Sequence, residues 1–163
     1  EEISADLFTA VPGRRLDDNA HLMIRWTGGA RGTIVASQTS PGHYNDLSVR
    51  IYGERAGLEW YGSRPEELRF SVFGEETRTI VRGGPGSTDE VRRVSRMPAM
   101  HPEGYIEAFA NYYRDAADII RAHRSGQSID AARAALVPDV VDGARGVKFV
   151  AAAVEASARR VAA

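Results

Sequence analysis

Residues 97–109 read MPAMHPEGYIEAF, and this stretch divides the chain by the period of its apolar residues. Before it, apolar and polar residues alternate; after it, apolar residues recur every three or four positions. Pro102 and Glu103 read as the opening of a helix. His101 stands immediately ahead of them, where an imidazole can face a ligand. What lies on either side decides the fold class.

Upstream, from Ala20 to about Arg82, the pattern is that of strands. HLMIRWT (21–27) alternates, GGARG (28–32) turns and TIVASQTS (33–40) resumes, which is a hairpin signature. LSVRIYG (47–53), LEWYG (58–62), ELRFSVFG (67–74) and TRTIVRG (77–83) continue the series. Leu47, Val49 and Ile51 share one face, and Ser48, Arg50 and Tyr52 the other, as in an antiparallel sheet with one face on a core. The pattern predicts a meander of about six strands. GGPGSTDEVRRVSRMPAM (83–100) has no period and reads as a long surface loop.

Downstream, Ile106, Phe109, Ala110, Tyr113, Ala116, Ala117 and Ile120 recur at helical spacing between Pro102 and about His123. Glu107, Asn111, Asp118 and Arg121 take the opposite side, and SGQ (125–127) ends the helix. A second helix is expected to begin near Asp139 as N-cap, with Asp142 three residues later. Its apolar stripe is Val140, Ala144, Val147, Ala151, Val154, Ala158 and Val161. The predicted class is α+β: an open-faced, mostly antiparallel sheet with two main helices packed on one face. Met23, Val35, Trp60 and Phe70 then leave large residues for the other face, where a second domain or a symmetric partner is expected.

The bulk numbers bound the function. A chain of 163 residues, 43% hydrophobic and 26% charged, fits a single domain over 1–163. No apolar run approaches the roughly 20 residues of a membrane span, and EEISADLF lacks the pattern of a signal peptide. The absence of cysteine excludes disulfides and thiolate chemistry and suits a reducing, cytoplasmic setting. A net charge of -1 gives no general attraction to nucleic acid or to a membrane. The chain begins at Glu1 rather than Met and reads as a fragment or a processed product.

The motifs exclude more than they assign. GGARG and RGGPG match neither GxGxxG nor GxxxxGK[ST], and neither is expected to lead from a strand into a helix, so they read as turn glycines. His21, His43, His101 and His123 form no HExxH and suggest no local metal site. Asp17-Asp18 and Glu75-Glu76 give no acid/base pair, and Arg92, Arg93 and Arg96 read as a solvated run. SQTSPGHYND (37–46) with Gln38, His43, Tyr44 and Asn45 is either an ordinary loop or a ligand loop whose groups suit hydroxyls.

Taken in order, LDDNAHLMIRWTGGARGTIVASQ, VRIYGERAGLEW, HPEGYIEAFANYYRDAADIIRA and VVDGARGVKFVAAAVEAS span nearly the whole chain. This series resembles the C-terminal domain of the Gfo/Idh/MocA family of NAD(P)-dependent oxidoreductases. The resemblance implies an open sheet face that packs on another subunit, hence a homo-oligomer. It implies NAD or NADP for the full-length parent, and a polyhydroxylated small-molecule substrate of sugar or polyol type. It also implies that the N-terminal Rossmann domain is absent from this chain, together with its GxGxxG loop, its EKP lysine and its catalytic histidine. Lys148, the sole lysine, matches no catalytic position of the family. The expected role is therefore the substrate-binding and oligomerisation half of a dehydrogenase, inactive by itself, with no catalytic, cofactor-binding or metal residue assigned. Gln38, His43, Asn45, His101 and Tyr105 are expected near the substrate, His101 foremost. The alternative is a stand-alone, non-catalytic binding or dimerisation module.

Overall fold

The computed structural model describes residues 2–130 and 134–159, which form two compact units, Glu1–His43 with Pro138–Ala163 and Tyr44–Val137. The class is α+β with antiparallel pairing, as the alternation predicts, and among the described residues seven strands form ladders of three and four.

The first unit carries β1 (Glu2–Phe8), β2 (Asn19–Arg25) and β3 (Arg31–Ser37) in that spatial order. Strand β1 is missing from the sequence reading because Glu, Ser, Ala and Asp have weak strand propensity. Pairing against β2 overrides that propensity, with Ala5 opposite Leu22 and Leu7 opposite Ala20. The GGARG turn closes β2 on β3 through Trp26 N–H to Ala30 O, at 3.0 Å. Gly32 lets the Trp26 ring lie over the strand: a Cβ would stand 2.7 Å from that ring and oblige it to shift.

A helix, Val140–Ala158, packs on β1 through Phe149, Ala153 and Ala156, closing a small core with Ala5 and Leu22. Ser157 Oγ accepts the Leu7 amide at 2.9 Å, satisfying one donor on the open side of β1. Asp139 caps this helix as expected, its Oδ1 accepting from Val141 and Asp142 N–H at 2.7 and 3.0 Å. The expected stripe, however, does not face the core. Val140, Val147 and Val154 are exposed, Val147 by 73%, and Val161 lies outside the described residues. In a helix so rich in Ala and Val, two adjacent arcs qualify as apolar, and periodicity cannot choose between them.

The second unit is a meander of β4 (Ser48–Tyr52), β5 (Ala56–Tyr61), β6 (Glu67–Val72) and β7 (Arg78–Val81). On one face Glu59 accepts hydrogen bonds from Tyr52 Oη at 2.8 Å, Tyr61 Oη at 3.3 Å and Arg69 at 3.2 Å. The Tyr52 bond, above all, holds the Glu59 carboxyl below its ordinary range, and Glu59 in turn raises the Tyr52 phenol. After β7, the segment read as a loop contains a short helix, α1 (Asp89–Val94), started by Thr88. The longer α2 (Tyr105–Ser125) follows, ending on Gly126 at φ 69°, and the Asp139-capped helix is α3.

Helix α2 also turns an unexpected side inward. Asp115 is buried against Arg93 at 3.0 and 3.1 Å, and Asn111 Nδ2 donates to Val94 O at 2.9 Å. Ile106, Phe109, Tyr113 and Ile120 are exposed instead, Ile106 by 79%. The polar side packs because ion pairs and a side-chain amide satisfy it against α1. Among the described residues no helix is long and apolar enough to cross a membrane.

Candidate functional site

The sequence break at 97–104 becomes a held loop, and its geometry starts at the β6–β7 hairpin. Glu67 pairs with Val81, so Glu66 and Arg82 stand opposite each other just beyond the ladder, and Arg82 N–H donates to Glu66 O at 2.9 Å. The Arg82 guanidinium then serves both acids and the loop. Its Nε meets Glu66 Oε2 at 2.5 Å, and its Nη1 pairs with the Glu103 carboxylate. Its Nη2 donates to the His101 carbonyl at 2.7 Å, and Nη1 reaches Met97 O at 3.4 Å.

The two carboxylates carry the loop further. Glu66 Oε1 accepts the Glu103 amide at 2.8 Å, and Glu103 Oε1 accepts the Arg96 amide at 2.7 Å. The Glu103 side chain is only 5% exposed, so its charge depends on these partners. This explains why α2 starts at Tyr105 and not at Pro102: the Glu103 amide and carboxylate are committed elsewhere. Gly104 occupies the cap, and the Glu107 carboxylate accepts its N–H at 2.9 Å. That bond, first among several causes, holds the Glu107 carboxyl below its ordinary range.

His101 is displayed by this frame. Its amide donates to Pro98 O at 3.2 Å, and the preceding Met100 has a left-handed backbone at φ 65°. The His101 Nδ1 lies 3.2 Å from Ala99 O. A carbonyl only accepts, so this contact is a hydrogen bond when the ring carries its proton on Nδ1, the tautomer that leaves Nε2 as an acceptor. The imidazole is exposed, and Tyr105, 78% exposed, begins the helix four residues on. The Tyr105 ring rests against Phe109 with centroids 4.9 Å apart. The arrangement suits a hydroxyl donor at Nε2 with an aromatic surface nearby.

The other sequence candidates fall as follows. Gln38 and His43 belong to the first unit, whereas Asn45, His101 and Tyr105 belong to the second. The Gln38 amide donates to Asp18 O at 2.8 Å, and His43 N–H donates to Ser40 O at 3.1 Å. Asn45 has φ 42° and its carbonyl accepts from Leu47 N–H at 2.9 Å. Asp18, read from sequence as an incidental acid, is a structural hub. It accepts from the Ala10 and Val11 amides at 2.8 and 3.1 Å, from Arg14 at 3.1 Å and from Asn19 Nδ2 at 2.8 Å.

One expectation needs correction. RGGPG does lead from a strand into a helix, because β7 precedes it and α1 follows. The start of α1 nevertheless opposes a phosphate: Thr88 Oγ1 takes the Val91 amide, and Asp89 and Glu90 place negative charge in the first turn. A dinucleotide does not fit there. Among the described residues no cluster of three or more His, Asp or Glu side chains is placed to hold a metal.

Sequence reading missed Arg82, Glu66 and Glu103 as the network that holds the loop carrying His101. The signal available was the hairpin itself, since Glu66, just ahead of ELRFSVFG, and Arg82, near the end of TRTIVRG, carry opposite charges at its open end. Two open hollows, of about 430 and 230 Å³, lie by Asp118, Arg121 and Ser125 and by Tyr52, Arg55 and Phe73; neither is lined by His101 or Tyr105.

With this geometry in place, comparison with known proteins is informative. A model of the C-terminal alpha/beta domain of an oxidoreductase family matches residues 4–162. The uncharacterized oxidoreductase YfiI of Bacillus subtilis is 34% identical over 151 residues, covering 92% of this chain and 38% of its own. The crystal structure of an oxidoreductase from Sinorhizobium meliloti superposes with a TM-score of 0.92 at 44% identity, over 99% of this chain and 45% of that one. An inositol dehydrogenase homolog from Azotobacter vinelandii, complexed with NADH and myo-inositol, gives 0.87 at 30% identity, over 96% and 41%. The chain thus spans less than half the length of each of these relatives.

Proposed function

Because the chain belongs to the Gfo/Idh/MocA oxidoreductase family, matching its C-terminal domain, we propose that its parent is an NAD(P)-dependent dehydrogenase of polyhydroxylated small molecules. In this reading the chain supplies substrate contacts and a subunit-contact face. The single observation that carries the substrate role is the held His101 ring, whose Nδ1 contact with Ala99 O favours the tautomer in which Nε2 can accept from a hydroxyl. The Azotobacter homolog, named with NADH and myo-inositol, supports both the cofactor type and the polyol class. When bound in the parent, the nicotinamide exchanges hydride with a carbinol carbon. This chain's part is to accept a hydrogen bond from a substrate hydroxyl at His101 Nε2 and to line the site with Tyr105. No proton transfer is assigned to it.

Two exposed apolar surfaces support partner roles. The outward arc of α2, with Ile106, Phe109 and Tyr113, begins beside the His101 loop and suits the part of the parent that this chain does not include. On the three-stranded sheet, Met23 and Val35 occupy the face opposite Leu22 and are 66% and 70% exposed, which suits a second copy. The same surfaces also favour the second reading, a stand-alone binding or dimerisation module.

His101→Ala in the full-length parent tests the leading reading, assayed against polyols including myo-inositol with NAD+ and NADP+. Loss of one neutral hydrogen bond is expected to raise KM about five- to tenfold with a smaller change in kcat. Unchanged KM and kcat would remove the role.

A further inference from the structure

We infer that Arg82 is the positioning residue of this site: it fixes the 97–104 loop so that the His101 ring presents Nε2 outward. The inference deepens the substrate reading of His101 and rests on it for its consequence in turnover, though not for its structural content.

Four observations converge on Arg82. Its guanidinium joins two distant chain segments, meeting Glu66 before β6 and, in the 97–104 loop, the Met97 and His101 carbonyls and the Glu103 carboxylate. It is largely withdrawn from solvent, with 17% side-chain exposure, as are Glu66 and Glu103. Ion pairing here is therefore weakly screened, and each member left alone would be poorly solvated. The loop it holds contains Met100 in a left-handed conformation, which a side-chain-bearing residue keeps only when its surroundings impose it. Finally, Arg82 contacts the His101 carbonyl and not the ring, so it fixes the residue's backbone while leaving the imidazole exposed.

The planar fork of arginine is essential to this arrangement. Nε and both terminal nitrogens serve different partners at once, and a lysine ammonium on a single flexible stem cannot reach all of them. The contact between Nδ1 and Ala99 O depends on the loop's shape, so the ring's tautomer reports on whether the loop is held.

The test uses the full-length parent labelled with ¹⁵N-histidine, alongside amide exchange of the peptide containing Met97–Gly104. The His101 ring signals are assigned from their loss in His101→Ala. In the wild type, His101 is expected as the Nδ1–H tautomer, with the loop amides protected. Arg82→Met is expected to speed exchange of the loop at least tenfold and to convert the ring to a solvent-averaged mixture dominated by Nε2–H. Arg82→Lys is expected to restore thermal stability substantially but to leave the loop exchange raised. Leu22→Ala, in the first unit, is the control for general destabilisation and is expected to leave both loop readouts at their wild-type values. If Arg82→Met misfolds, Glu66→Gln removes the same charge pairing more gently, with the same expected direction. Wild-type tautomer and exchange in Arg82→Met or Glu66→Gln, or full recovery of both by Arg82→Lys, would overturn the inference. For turnover, KM in Arg82→Met is expected to rise with that of His101→Ala. A rise in His101→Ala alone counts against positioning; no rise in His101→Ala removes the substrate reading, and the loop readouts then decide the Arg82 inference by themselves.

Discussion

At the scale of single residues, few positions carry the molecule's interior. Leu22 is 5% exposed and packs with Ala5 and Ala153 where α3 meets the first sheet. Leu22→Ala is expected to cost about 2–4 kcal/mol, from lost apolar contact plus the cavity left behind. Chemical denaturation of the chain measures it, and a loss below about 1 kcal/mol would mean the site collapses freely. A helix start just after His101 was legible, because Pro-Glu-Gly ahead of a helical period marks one. The network that holds the loop was not. Glu66, Arg82 and Glu103 are separated by long stretches of sequence and meet only when the β6–β7 register and the loop are both in place.

At the scale of elements, capping was read well and packing faces were not. Asp139 and Asp142 exchange hydrogen bonds at the start of α3, with Asp142 Oδ2 accepting the Asp139 amide at 3.1 Å. Asp139→Ala is expected to lower stability by about 1 kcal/mol, seen as a fall in Tm, whereas Asp139→Ser should recover most of it. Start signals are local chemistry and can be recognised without the fold. The inward side of a helix is not local. α2 buries Asp115 because Arg93 reaches it from α1 alongside its own neighbour Arg114, and an arginine arriving from another segment leaves no trace in a helical period. Likewise β1 was overlooked because its strand character comes from β2, its partner, more than from its own residues.

At the scale of the whole molecule, acid sensitivity follows from several carboxylates held ionised by the fold. Asp18 is lowered first by the Ala10 amide, Glu59 by Tyr52, Glu90 by its own amide and Thr88, and Glu107 by the Gly104 amide. For Asp115, burial alone would raise the carboxyl, but the hydrogen bonds and charges of Arg93 and Arg114 outweigh it, and the net direction is downward. Each of these groups binds its proton more readily in the unfolded chain. Their contribution is therefore fully present above the ordinary values of 3.8 for Asp and 4.5 for Glu, and is lost as pH falls through the lower native ones. Thermal unfolding is expected to give a flat Tm between about pH 5 and 7 and a steep fall below about pH 4. A Tm that held or rose on acidification would contradict the sign. The exposed apolar arcs of α2 and α3 belong to this scale too, as apolar surface that the proposed partner roles would cover.

By itself the sequence determined what depends on near neighbours: antiparallel strands, two long helices, the α+β class, the caps at Asp139 and Gly126, and the family. It did so because periodicity, propensity and capping act over a few residues. The tertiary structure alone decided what depends on distant ones: seven strands in ladders of three and four, the apolar arcs that stay outside, and the clamp of Arg82 on Glu66, Glu103 and the His101 carbonyl. Those pairings require charges remote in sequence to lose water together, and only a folded chain brings them close enough to do so.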